Sequence, residues 1–266
     1  MSKNRFRHKL RSVIRTAVVL FLGVSLPQAI GESAQSQTKM KSIEERQLVQ
    51  TIQWKYAVSQ AGKRIGSEDV TRSEYSDNSV QFHSEISFEF QTGAITDIET
   101  DMVLEEETFF PISYEMTKHM TQGGVEFTLG ARYEWFSNVA VVYKTSRGTP
   151  DTVHVVLPAG AAVVDMSVAH HMYIPLYWYD TESGGVQNFN IVDPISTKTY
   201  PATLRLQTKE TIVVNGKDTE TERYEFTRDK QTFKIYVDAG GRIVKLDQGF
   251  LVYELSEWSE SLIREK

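Results

Sequence analysis

The 266-residue chain has no cysteine. No disulfide can staple it, no thiolate can ligate or attack, and no lipid can be attached through an N-terminal cysteine. Stability must come from packing. A long hydrophobic run is also missing: Thr16 to Leu26 is the best apolar stretch, and a helix needs about 20 residues to cross a bilayer. There is no Gly-x-Ser-x-Gly elbow, no His-Glu-x-x-His and no phosphate-cradling glycine loop, so nucleophilic, zinc-protease and nucleotide chemistry have no foothold. Carboxylate pairs for a hydrolase can be drawn from 35 Asp and Glu residues, but spacing along the chain selects no two of them. An enzyme is the less favoured reading, and no cofactor is expected.

Residues 1–31 carry six basic and no acidic residues ahead of the short apolar run, and Pro27 and the small residues Ala29 and Gly31 follow. This pattern predicts a cleavable export signal and a periplasmic or secreted location, with no stable membrane span after cleavage. An uncleaved anchor is the alternative. Removing the signal leaves 23 basic against 35 acidic residues, a net charge of 23 − 35 = −12. Such a chain repels phosphate backbones and anionic head groups, so no nucleic-acid partner is expected.

Residues 32–50 read as a polar lead-in with a short helix, Ser42 and Glu45 being spaced as a capping box. From Thr51 the hydrophobic period becomes two. Ile52, Trp54, Tyr56 and Val58 alternate with polar residues, and so do Val80, Phe82, Ile86 and Phe88. The pattern recurs to about residue 258 with turn signals such as Asn215-Gly216 and Gly240-Gly241, and roughly ten to twelve strands are counted. The predicted fold is mainly β, a single large curved antiparallel sheet spanning 51–258, with a polar tail at 259–266. Residues 158–200 break the rhythm and predict a crossover with one or two short helices, ended by Pro175.

Three segments carry a resemblance: Tyr56-Ala57-Val58 with Gly62 and Ile65-Gly66, Tyr179-Asp180 with Gly184 to Gln187, and Ile235 to Asp247. They resemble an uncharacterised family of exported bacterial β proteins, whose members look like the half-barrels of the outer-membrane lipoprotein carriers. The resemblance implies a sheet wrapped partway round a helix-covered apolar groove and transfers no catalytic residue. The chain departs from the lipid-modified members in lacking their anchoring cysteine.

The candidate functional feature is therefore the apolar face of the sheet. Phe88, Met102, Met116, Phe127 and Trp135 are the expected groove lining, and Met172, Tyr173, Tyr177 and Trp178 the expected lid, because thioether and aromatic side chains suit an adaptable apolar site. The expected partner is an apolar small molecule or lipid, or an envelope protein. Two other readings stay open: a structural or protein-interaction domain with a sealed core, and a hydrolase with dispersed carboxylates. No metal is expected. His170 and His171 are adjacent and do not converge on one ion, so one is expected to bond within the crossover and the other to face solvent. Asp97, Glu99 and Asp101 lie at alternate positions along one strand, about 6.8 Å apart, and are expected to form a solvated acidic edge.

Overall fold

Outward-facing polar residues alternate with apolar ones along nearly every strand, and the inward set determines how the sheet curls. The computed structural model describes residues 46–136, 139–146, 149–156, 158 and 161–262. The predicted export signal and the Ser42–Glu45 capping box lie outside the described residues.

The first half of the chain is a continuous meander. It comprises β1 (Leu48–Gln60), β2 (Lys63–Tyr75), β3 (Ser79–Glu89), β4 (Ile95–Glu105), β5 (Pro111–Gln122), β6 (Val125–Phe136), β7 (Val139–Ser146) and β8 (Thr149–Val156). A crossover follows, with β9 (Ala161–Val163), a 3-10 turn (Ala169–Met172) and α1 (Tyr173–Trp178). The second half is β10 (Val186–Val192), β11 (Thr199–Val214), β12 (Lys217–Arg228), β13 (Gln231–Asp238), β14 (Ile243–Asp247) and β15 (Val252–Leu262).

All 15 strands form one sheet, running from β8 back to β1, across to β15, and down to β9. Mainly β is the observed class, with one difference from the expected all-antiparallel order: β9 pairs parallel to β10. Parallel neighbours need a long connection between them, and residues 164–185 provide it. The strand count exceeds the expectation because Val186–Val192, read as part of the interruption, pairs with β11. β1 begins at Leu48 and β15 runs to Leu262, so the ladder extends past the expected boundaries at 50 and 258, where partners such as Gln50 and Leu262 face each other.

The two ends of the sheet meet through side chains instead of a ladder. Tyr133 of β6 donates to Pro194 O at 2.9 Å, and Lys144 of β7 donates to Ile195 O at 2.9 Å and to Thr197 Oγ1 at 3.0 Å. The wall thus closes into a barrel-like form at the level of β6 and β7, leaving β8 as a projecting edge. At the other side the β11–β12 hairpin, turning at Asn215 and Gly216 with φ of 51° and 72°, folds onto β15: Asn215 N–H donates to Glu254 Oε1 at 3.1 Å.

Inward positions line up across the ladder. Trp54, Val70, Ser84, Thr100 and Met116 are successive cross-strand neighbours and all are buried. Inside this wall the crossover is itself core: Val163, Val164, Val168, Ala169 and Met172 have no exposed surface. Pro175 does not end the helix as expected. It sits in the first turn of α1, where a backbone N–H has no intrahelical acceptor to lose.

Gly66 marks the tightest approach in the wall. A Cβ built there lies well inside van der Waals distance of the Ser87 carbonyl oxygen, so the neighbouring strand has to move to admit one. Gly66→Ala is expected to lower stability by about 1–3 kcal/mol through forced backbone shifts, read as a drop in urea midpoint. An unchanged midpoint contradicts this close approach.

Candidate functional site

The buried polar residues identify the place where the fold departs from a plain apolar core. On β2 the inward phase carries Glu68 directly opposite Tyr56, and its side chain is fully buried. A buried carboxylate needs several donors. Glu68 obtains them from the crossover: its Oε2 accepts Ala169 N–H at 2.9 Å, and its Oε1 accepts His170 N–H at 3.3 Å and His170 Nδ1–H at 2.8 Å. Val168, the residue before the 3-10 turn, supplies no side-chain cap of its own. The cap comes instead from a strand about a hundred residues away in sequence, and it satisfies donors that the first turn leaves open.

His171 closes a second, local ring. Its Nδ1 accepts Asp165 N–H at 2.9 Å, and Asp165 Oδ1 accepts Ser167 N–H at 2.7 Å. Nδ1 is therefore unprotonated and the proton of the neutral ring sits on Nε2. Burial pushes the His171 pKa well below the ordinary imidazole range, and His170 adds to this. Burial raises the Asp165 carboxyl, opposed by its hydrogen bonds with Ser167. Phe82 stacks on His170 with centroids 5.6 Å apart, and Tyr114 packs edge-on to His171 at 5.4 Å. Both histidines are thus inside the wall at 2% and 0% exposure, which corrects the expectation that one faces solvent.

Further bonds fix the crossover to the rest of the wall. Gln248 Nε2 donates to Met166 O, Tyr253 O–H to Ser167 O, and Ile243 N–H to Tyr173 Oη. At the rim, Tyr177 O–H donates to Glu107 O and Trp178 Nε1–H to Thr108 O, each at 2.7 Å, while Tyr177 stacks on Phe109 at 4.0 Å.

A Glu–His pair of this kind raises the question of general-base chemistry. The Nε2 of His170 has no hydrogen-bond partner among the described residues, and its side chain is 1% exposed. The pair is an anchor.

Eight of the nine expected groove and lid residues belong to one apolar cluster, all but Phe127. Phe88, Met102, Met116 and Met172 are buried in the core. Phe127, Trp135, Tyr173, Tyr177 and Trp178 are half-buried: Trp135 stacks on Tyr133, Tyr173 meets Trp54 edge-on, and Trp178 lies over Phe189. Glu68 was not singled out from the sequence. Its signal is a charged residue on the inward phase of a strand, between Ile65 and Val70. On the outside, Asp97, Glu99 and Asp101 point outward from β4, a strand with neighbours on both sides. They are not an edge, because pairing with β3 and β5 puts them in the middle of the wall.

No family model matches the chain, and no curated protein matches it. Among solved structures, the fold is similar to that of a β-barrel-like protein of domain of unknown function DUF1849 from Brucella abortus, with a TM-score of 0.56 at 9% identity, the match covering 81% of this chain and 99% of that one. The likeness shows a barrel-like β fold.

Two outcomes follow from the anchor. Glu68→Ala strands three buried donors and is expected to cost about 3–5 kcal/mol in urea denaturation, whereas Asp69→Ala, on the exposed face of the same strand, changes stability by about 1 kcal/mol or less. Equal effects rule out the anchoring role. For His171, the unfolded chain binds a proton below about pH 6.5 and the folded chain does not until well below that, so its contribution falls as pH drops from 7 towards 5. Asp165 acts oppositely, since its raised folded pKa favours the folded state on acidification. His171→Asn is expected to flatten the loss of melting temperature between pH 7 and 5 relative to wild type. Parallel curves for wild type and His171→Asn contradict the buried neutral imidazole.

Proposed function

We propose that the chain is an exported, non-catalytic β domain of the bacterial envelope that works as a protein-interaction scaffold, with a core closed by its own crossover. The single observation that supports this reading is the filling of the sheet's inner face by residues 161–178, from fully buried Val163 to Met172, tied to the wall by Glu68, Gln248 and Tyr253. The surface left for partners is the outer wall. There Glu85 and Glu99 are cross-strand neighbours on β3 and β4, an acidic pair suited to a basic partner.

A second reading, binding or shuttling of an apolar ligand, is favoured by the rim. Tyr177 and Trp178 hold the end of the crossover to the β4–β5 loop through only two side-chain hydrogen bonds and one ring stack. On this reading the crossover swings out, and Phe88, Met102, Met116, Phe127 and Trp135 line the space it leaves, with Met172 and Tyr173 moving with the lid.

Native mass spectrometry of gently purified protein separates the two. The scaffold reading expects an apo mass, no uptake of a fluorescent fatty acid, and for Trp178→Ala a lower melting temperature with uptake still absent. Co-purified lipid, or saturable uptake that Trp178→Ala abolishes, overturns it in favour of the carrier.

A further inference from the structure

The outer wall carries a further cluster, which includes the Glu85 and Glu99 named above. On β3 and β4 the ladder sets His83 opposite Asp101 and Glu85 opposite Glu99. Like charges directly opposite each other destabilise a sheet. Asp69, beside Glu85, is already neutralised by Lys55 at 2.8 Å; Glu85 and Glu99 have no such lysine in the ladder, and the group between the carboxylates is the His83 ring.

We propose that His83, Glu99 and Asp101 bind a divalent first-row transition ion of the zinc class. The ligand atoms of the three residues all lie within 4.8 Å of one another. His83 Nδ1 and Asp101 Oδ1 are 3.2 Å apart, close to the roughly 3.3 Å that separates two ligands of a tetrahedral ion with bonds of about 2.0–2.1 Å. Glu99, one rung along the same face of β4, completes the set by a change of rotamer. One imidazole and two carboxylates suit zinc and its neighbours, while calcium takes six to eight oxygens, more than these side chains offer.

The surroundings fit ligation as well. With Nδ1 on the ion, Nε2 of His83 lies 3.8 Å from Glu85 Oε1, near a carboxylate of the kind that partners the second nitrogen of ligating imidazoles. Gln81 Nε2 donates to Asp101 Oδ1 at 2.9 Å, and Tyr75 O–H donates to Gln81 Oε1 at 3.1 Å, so Asp101 is held in place from the side. The ligands stand on two paired strands in the middle of the wall, which keeps their spacing rigid. Half-exposed side chains, 36% for His83 and 39% for Asp101, leave the remaining coordination positions to water or to a donor from another molecule.

The test is cobalt titration of tag-free, EDTA-treated protein. One equivalent of Co²⁺ is expected to produce saturable visible absorption, Zn²⁺ to displace it, and millimolar Ca²⁺ to leave it intact. His83→Gln and Asp101→Asn are expected to weaken Zn²⁺ binding at least about tenfold and to remove the rise in melting temperature that Zn²⁺ gives the wild type. His119→Gln, on the exposed face of β5, serves as the control and keeps both. Binding that survives His83→Gln, a stoichiometry of several weak ions, or equal competition by Ca²⁺ overturns the site. All these side chains are at the surface, so the variants fold and each outcome is readable.

Discussion

The hydrogen bonds from Glu68 to the first turn of the crossover are the constraint on which the rest of this structure depends. A wall of 15 strands encloses more space than its own inward side chains fill; eight strands is about the width that side chains alone can pack. Something must occupy the middle, and the chain supplies residues 161–178. A short segment without a regular ladder carries open backbone donors into an apolar interior, where each unsatisfied group costs about 1–3 kcal/mol. One carboxylate that accepts from Ala169, from His170 and from the His170 ring removes three of these at once and sets the turn's position against β2.

The same economy appears around the rest of the crossover. Tyrosines that face inward use their rings for packing and their hydroxyls for backbone groups of the segment or its neighbours: Tyr253 reaches Ser167 O, Tyr56 reaches Ile243 O and Tyr133 reaches Pro194 O. Burial holds the hydroxyls of Tyr56, Tyr133 and Tyr253 above the ordinary phenol range, so they remain protonated donors through the neutral range. The satisfaction is incomplete. Asp165 Oδ2, Tyr114 Oη and the Nε2 atoms of both histidines are buried without a hydrogen-bond partner among the described residues.

Two faces of one ladder thus carry two kinds of chemistry. On β3, Phe82 points inward to stack on His170, while its neighbour His83 points outward among carboxylates. Alternation places consecutive residues in a dry core and in water respectively.

How much of this was legible beforehand is seen in particular residues. The period-two pattern identified Ile52, Trp54, Tyr56 and Val58 as an inward face, and all four are buried; Asn215-Gly216 was legible as a tight turn because few other residues tolerate its positive φ. Local physics sufficed for these. Glu68 and His170 were not paired beforehand, since nothing local joins residues that far apart, and the acidic triplet on β4 was read as an edge because strand order is invisible to a single strand's pattern. The sequence by itself determined the mainly β class, the inward and outward faces and the turns, all of which follow from near-neighbour sterics and hydrophobic period. Only the tertiary structure decided that the crossover fills the wall, that both histidines are buried, and that His83 stands beside Asp101, because these depend on which distant strands become neighbours.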